Sequence, residues 1–182
     1  MVNIPVIVKR ELRSYFLSPV AYVVLTVFVL VHGLLFGIYT GAASIEPTAV
    51  VRFALWVGLY LMLVGAPILT MGLLSKEMAE GTIETLLTAP VSHLEVVLGK
   101  FCGALFFSLA LMAPIVLEAI YLEAIGTVDY GSVAAGFLGL YLVTAQFLAV
   151  GFLCSTMTRA QAGSAITSFV LLIGLFFLWL LV

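Results

Sequence analysis

Five long apolar runs separated by short polar breaks organise the chain, at about Val20 to Tyr39, Phe53 to Leu74, Val96 to Leu122, Ser132 to Cys154 and Ala162 to Leu181. At a rise of about 1.5 Å per helical residue, each is long enough to cross a hydrocarbon core of about 30 Å. The pattern predicts an all-α, polytopic membrane protein with five transmembrane helices, forming a single transmembrane domain over residues 1–182. Ahead of the first run, residues 4–17 mix Ile4, Val6, Ile7, Leu12, Phe16 and Leu17 with Lys9, Arg10, Glu11 and Arg13. That mixture predicts an interfacial helix, basic toward the headgroups and apolar toward the acyl boundary. A plain polar tail has the same composition. The first apolar run is too long for the core of a cleavable leader, so it is expected to stay attached as the first span.

The longest polar break, Lys76 to Lys100, gathers four carboxylates and two lysines in a chain that is only 9% charged. Thr82 to Ala89 reads as a short helix with Ile83, Leu86 and Leu87 at one-face spacing. Pro90 ends it, because proline has no amide donor and pushes the residue before it out of the helical region. Ser92 then opens the next helix. Ser92 and Glu95 fit a capping box, with Val91 stapled to Val96, so the third span is expected to start at His93. A two-turn helix is unstable alone in water, and its apolar side must dock on something. Glu77, Glu80 and Glu84 would face an anionic leaflet unfavourably. The expected partner is therefore a protein, with an ordinary loop helix resting on its own bundle as the alternative.

Within the spans, Gly33, Gly37 and Gly41 recur every four residues, as do Gly131, Ala135 and Gly139. Small residues at this spacing let a second helix approach closely, which marks both sets as candidate packing seams. Gly58, Gly65, Pro67 and Gly72 interrupt the second span, and Pro114 is expected to kink the third. His32 lies mid-span with no ligand-type neighbour in sequence and reads as a hydrogen-bonded packing residue. Glu118 and Glu123 sit near the far end of the third span, where a solvated or structural role is expected. Thr70, Ser108, Thr144, Gln146, Ser164, Thr167 and Ser168 are the polar groups available to line a pathway or to act as helix glue.

Composition removes several function classes. The chain is 64% hydrophobic, and a soluble domain carries about 25% charged residues against 9% here. No basic patch exists to track a phosphate backbone, so nucleic acid is not an expected partner. Cys102 and Cys154 lie inside apolar runs without metal-site or disulfide spacing. There is no GxxxxGK[ST] loop, no HExxH, no GxSxG and no histidine clustered with carboxylates along the sequence. No catalytic residue, metal or cofactor is expected in this chain, and any energy must come from a partner. Lys9, Arg10, Arg13, Lys76, Lys100 and Arg159 fall on one side of the spans and Arg52 on the other, which places the N-terminus and the residue 76–95 region in the cytoplasm.

The segment KEMAEGTIETLLTAPVSHLEVVLGKF resembles the cytoplasmic loop of type-2 ABC exporter permeases. The residues that carry the likeness are Glu77, Glu80, Gly81, Thr82, Ile83, Glu84, Leu86, Leu87, Thr88, Pro90, Val91, Glu95, Leu98, Gly99 and Lys100. Lys9 to Val23 is similar to the N-terminal elbow of that family, and of its gliding-motility-type branch in particular. The resemblance implies a permease subunit in a bacterial cytoplasmic membrane, paired with a second permease copy or relative and with cytosolic ABC ATPase subunits. It also implies that Thr82 to Ala89 is a coupling helix, with Leu86 and Leu87 as apolar anchors and Glu77, Glu80 and Glu84 at the polar rim. The family usually has six spans. Five are found here, and the hydrophobic run closes directly at Val182, so the sequence is either truncated or lacks a returning sixth span. The rival expectation is a membrane scaffold or assembly subunit that recruits an ATPase without moving a substrate.

Overall fold

The computed structural model describes residues 4–41, 46–81 and 92–181, and the described residues are all helix and connection. In chain order the helices are α1 (Ile4–Leu17), α2 (Pro19–Gly41), α3 (Pro47–Thr70), α4 (Ser75–Ala79), α5 (His93–Glu123), α6 (Tyr130–Met157) and α7 (Gln161–Leu181). Of these, α2, α3, α5, α6 and α7 are long and apolar enough to cross a membrane, so the five-span, all-α expectation holds. The second span starts earlier than the hydropathy implies. Pro47 serves as a first-turn residue, where its missing amide costs nothing, and the helix runs unbroken past Gly58 and Gly65 to Thr70.

Helix α3 is the hub, since it packs against α2, α5, α6 and α7. Its interior positions Met62, Ala66 and Leu69 meet Phe107, Leu111, Met112 and Ile115 of α5 and Leu140, Phe147 and Leu148 of α6 in one buried cluster. Close approach of α3 and α6 depends on glycine. A methyl group on Gly136 would lie 2.5 Å from Leu55 Cδ1, one on Gly151 would collide with Thr70 Oγ1, and one on Gly58 would meet Ile115 and Leu140. Helix α2 is attached more lightly, with Ala21, Phe28 and His32 as its buried residues.

The first helix occupies the predicted residues but faces differently. Ile4, Ile7, Val8, Glu11, Leu12 and Tyr15 form a half-buried stripe turned toward the bundle, and α1 packs along α5. An added Cβ at Gly99 would lie 2.5 Å from Ile7 Cγ2, and one at Gly103 would lie 2.7 Å from Glu11 Cβ. Half of the apolar residues expected to enter lipid, Ile4, Ile7 and Leu12, therefore turn toward protein, while Val6, Phe16 and Leu17 stay exposed, Phe16 with its ring edge-on to Phe107. The physical reason is the narrow groove that two glycines one turn apart carve on α5.

At the two seams expected from spacing, the described residues supply no neighbour. Added methyls on Gly33, Gly37, Gly41 and Gly139 would meet nothing within 4 Å, and one on Gly131 would meet its own Asp129. Ala135 is exposed. Substitution should separate the two kinds of glycine. Gly99→Val is expected to cost about 1–3 kcal/mol through overpacking against Ile7, read as a lower melting temperature in detergent and faster proteolysis of α1. Gly33→Ala should stay within about 0.5 kcal/mol of the parent in the isolated chain.

Candidate functional site

The polar break singled out by its charge emerges from one end of the bundle between two structured edges. On the entry side α3 ends at Thr70, a turn follows, and α4 takes Ser75–Ala79 before Glu80 and Gly81. Gly81 has φ +70°, the left-handed conformation that glycine adopts without a Cβ clash. On the exit side Ser92 caps α5. Its side chain accepts from Glu95 N at 3.2 Å while Glu95 Oε2 accepts from Ser92 N at 3.1 Å, which is the predicted capping box, with α5 opening at His93 as expected. Thr82, Ile83, Glu84, Leu86, Leu87, Pro90 and Val91 lie outside the described residues.

Lys100 holds the two edges together. It is 4% exposed, two turns into α5, and its ammonium lies 2.8 Å from Glu77 Oε1 of α4 and 3.0 Å from Glu11 Oε1 of α1. A buried ammonium is tolerated only when paired, and here two carboxylates from two other helices provide the pairing. The same lysine thus fixes α4 at the loop entrance, α5 at the loop exit and the elbow helix α1. A cavity of about 240 Å³ adjoins Glu11 on one flank of the clamp and is lined also by Ser14, Ser18, Lys76 and Gln161.

Two further contacts stiffen this end. Ser155 Oγ of α6 accepts from both Leu74 N (3.0 Å) and Ser75 N (3.1 Å), satisfying amides that α4 leaves without an intrahelical partner. The Tyr15 hydroxyl of α1 donates to Leu69 O at 2.9 Å, a carbonyl in the last turn of α3. Its ring stacks on Phe107 with centroids 4.9 Å apart. Burial pushes the Tyr15 phenol up from its ordinary range, with Glu11 adding in the same direction, so it remains a donor.

Several of these residues escape a reading by motif. Glu11, Tyr15 and Ser155 carry no local signature, and Ser155, expected in a polar connection, is still inside α6. The close pair Gly99 and Gly103 did have one, the same four-residue spacing noted at Gly33 and Gly131. The hydroxyls considered for a pathway mostly bond to their own helices: Thr70 to Ala66 O, Ser108 to Leu105 O, Thr167 to Gly163 O and Ser168 to Ser164 O.

At the opposite end, the expected absence of a histidine–carboxylate grouping needs correction. His32 Nδ1 of α2 lies 2.8 Å from Glu118 Oε1 of α5, and His32 Nε2 lies 3.0 Å from Ala54 O of α3. The two side chains are 86 positions apart, and helix packing alone brings them together. Glu123 accepts from Val128 N, a structural role in the turn before α6.

Five apolar spanning helices around a hub, with a polar segment held at one end, define a multi-pass membrane protein. The profile of the family described as ABC-2 family transporter protein matches residues 64–182, about two thirds of the chain. The chain belongs to that family and is a membrane permease subunit of an ABC transporter. The family implies association with an ABC ATPase. No curated protein and no solved structure matches the chain.

Lys100→Met should destabilise the chain by about 1–3 kcal/mol, because it takes the cation away from two partly buried carboxylates. Adding Glu77→Gln removes the like-charge contact and should restore part of the loss. Thermal unfolding of both variants in detergent checks the pair.

Proposed function

We propose that this chain is the membrane-spanning subunit of an ATP-driven exporter in a bacterial cytoplasmic membrane, with its N-terminus in the cytoplasm. In this reading residues 82–89 form the coupling helix, Leu86 and Leu87 anchor it in a cleft of the ATPase, and Glu77, Glu80 and Glu84 line the rim. Gly81 and Pro90 set its two ends, and Ile83 and Val91 complete its apolar contacts. The observation that carries the proposal is the Lys100 clamp. A segment that receives a push from a partner transmits it only if its base is rigid, and Glu77, Lys100, Ser155 and the Ser92 cap make the base rigid. The push shifts the permease only if the ATPase binds its two states with different free energy.

A second permease copy would pack on the exposed faces of Gly33, Gly37 and Gly41 and of Gly131, Ala135 and Gly139, where the described residues offer no neighbour. The substrate pathway would then run between copies. One observation favours the scaffold alternative, including a gliding-type machine: the hydroxyls of Thr70, Ser108, Thr167 and Ser168 are committed to their own helices.

Leu87→Glu should abolish permease-stimulated ATP hydrolysis while leaving membrane insertion intact. Unchanged stimulation would remove the coupling role. A photocrosslinker at position 87 in native membranes should capture a phosphate-loop ATPase. If the ATPase is captured but ATP hydrolysis moves nothing out of reconstituted vesicles, the scaffold reading replaces the exporter.

A further inference from the structure

We propose that His32 and Glu118 form a proton-binding site that latches α2 to α3 and α5, and that loss of the proton releases α2. Hydrogen-bond polarity decides where the protons of this site lie. Ala54 O can only accept, so the 3.0 Å contact with His32 Nε2 requires an N–H on that nitrogen. The 2.8 Å contact between His32 Nδ1 and Glu118 Oε1 then requires a second proton, held either by Nδ1 as part of an imidazolium or by the carboxyl as a neutral acid. In both arrangements the pair is electrically neutral overall and each contact has one donor.

Remove that proton and no arrangement satisfies both contacts. If Nε2 keeps its hydrogen, the Nδ1 lone pair faces a carboxylate at 2.8 Å. If the hydrogen moves to Nδ1, the Nε2 lone pair faces a carbonyl at 3.0 Å. Either way one acceptor meets another, and a net negative charge is left at a site where His32 is 1% and Glu118 9% exposed. Such a charge in an apolar surrounding is strongly unfavourable. Glu118 Oε2 is buried with no hydrogen-bond partner among the described residues, so an ionised carboxylate would be only half satisfied.

Among the described residues the neighbourhood offers no competing ion. On α3 the nearby basic group is Arg52, which is exposed. On α5, Glu123 is engaged with Val128 N and Tyr121 is exposed. On α2 itself Phe28 stacks against the imidazole with centroids 5.7 Å apart, and Tyr39 stacks on Phe53. The site controls α2 in particular because Ala21, Phe28 and His32 are that helix's buried residues. Its place along α5, 18 residues beyond Lys100, puts it roughly 27 Å away from the clamp, so it acts on the bundle independently of the loop.

The test places spin labels at Leu34→Cys on α2 and Ile120→Cys on α5, both exposed positions, in the full chain with Cys102→Ser and Cys154→Ala, reconstituted in lipid nanodiscs. Pulsed-EPR distances are recorded from about pH 6 to about pH 10. The proposal expects a second, longer distance whose population grows by up to about tenfold per pH unit once the proton leaves. It also expects Glu118→Gln to hold one distance throughout, since its amide donates to Nδ1 without a removable proton. A pH-independent distance in the parent, or the same pH response in Glu118→Gln, overturns the proposal. Should Glu118→Gln fail to fold, ¹⁵N spectra of His32 in the otherwise unmodified chain decide. Nε2 must remain protonated for as long as α2 is docked, and an unprotonated Nε2 in the docked state overturns the site.

Discussion

Burying one ammonium sets the arrangement of the loop-bearing end of this molecule. Lys100 sits on a helix that spans an apolar bundle, and its charge can remain there only while carboxylates from other elements reach it. Glu11 and Glu77 reach it from two helices that both precede it in the chain. That requirement draws the elbow helix inward, and the inward position is open only because Gly99 and Gly103 leave space for Ile7 and Glu11. It also holds α4 down, which fixes where the polar segment leaves the bundle. Electrostatics and steric fit are thus a single constraint here: the ion pairs need the glycines, and the glycine groove has its occupant because of the ion pairs.

The two ends of the bundle use polar chemistry in different ways. Around Lys100 the polar groups are numerous, and a cavity flanks them. Around His32 they are few and enclosed, one contact reaching Glu118 and the other Ala54 O. The first arrangement suits a platform that must keep its shape under load. The second suits a contact that is strong in one protonation state and weak in the other. Between them lies a core of Met, Leu, Phe and Ile side chains, in which the Thr70 and Ser108 hydroxyls turn back on their own helices.

What could be read in the chain and what could not divides along physical lines. Hydropathy revealed every spanning helix, because a membrane demands length and apolarity of each segment separately. The Ser92 cap was equally visible, being a relation between residues three apart. The span that begins at Pro47 was read too short because hydropathy responds to apolar content and not to where backbone hydrogen bonding begins. The glycines at 33, 37 and 41 drew attention by spacing alone, while Gly99 and Gly103 with the same spacing were passed over. Spacing says that a helix could approach and does not say which one does. His32 with Glu118, Lys100 with Glu11, and Ser155 with Leu74 are relations across 80 or more positions, set by how helices pack around α3. One sequence contains no direct trace of such relations. Membership of the ABC-2 family is supported from residue 64 onward, whereas the elbow helix earns its place in the reading from geometry.

The attachment of α1 to α5 also has a consequence for how the protein is made. The Glu11–Lys100 pair joins residues 89 apart, and chains are synthesised at about 5–20 residues per second. For roughly 4 to 18 seconds after its own synthesis, α1 has no partner helix to receive its apolar stripe. During that interval the nascent bilayer surface is the available resting place for Ile4, Ile7 and Leu12. The basic residues Lys9, Arg10 and Arg13, exposed in the finished structure, would hold it against anionic headgroups until α5 is inserted. The amphipathic character of this helix would then serve two hosts in succession, lipid while the chain is being made and protein once it is complete.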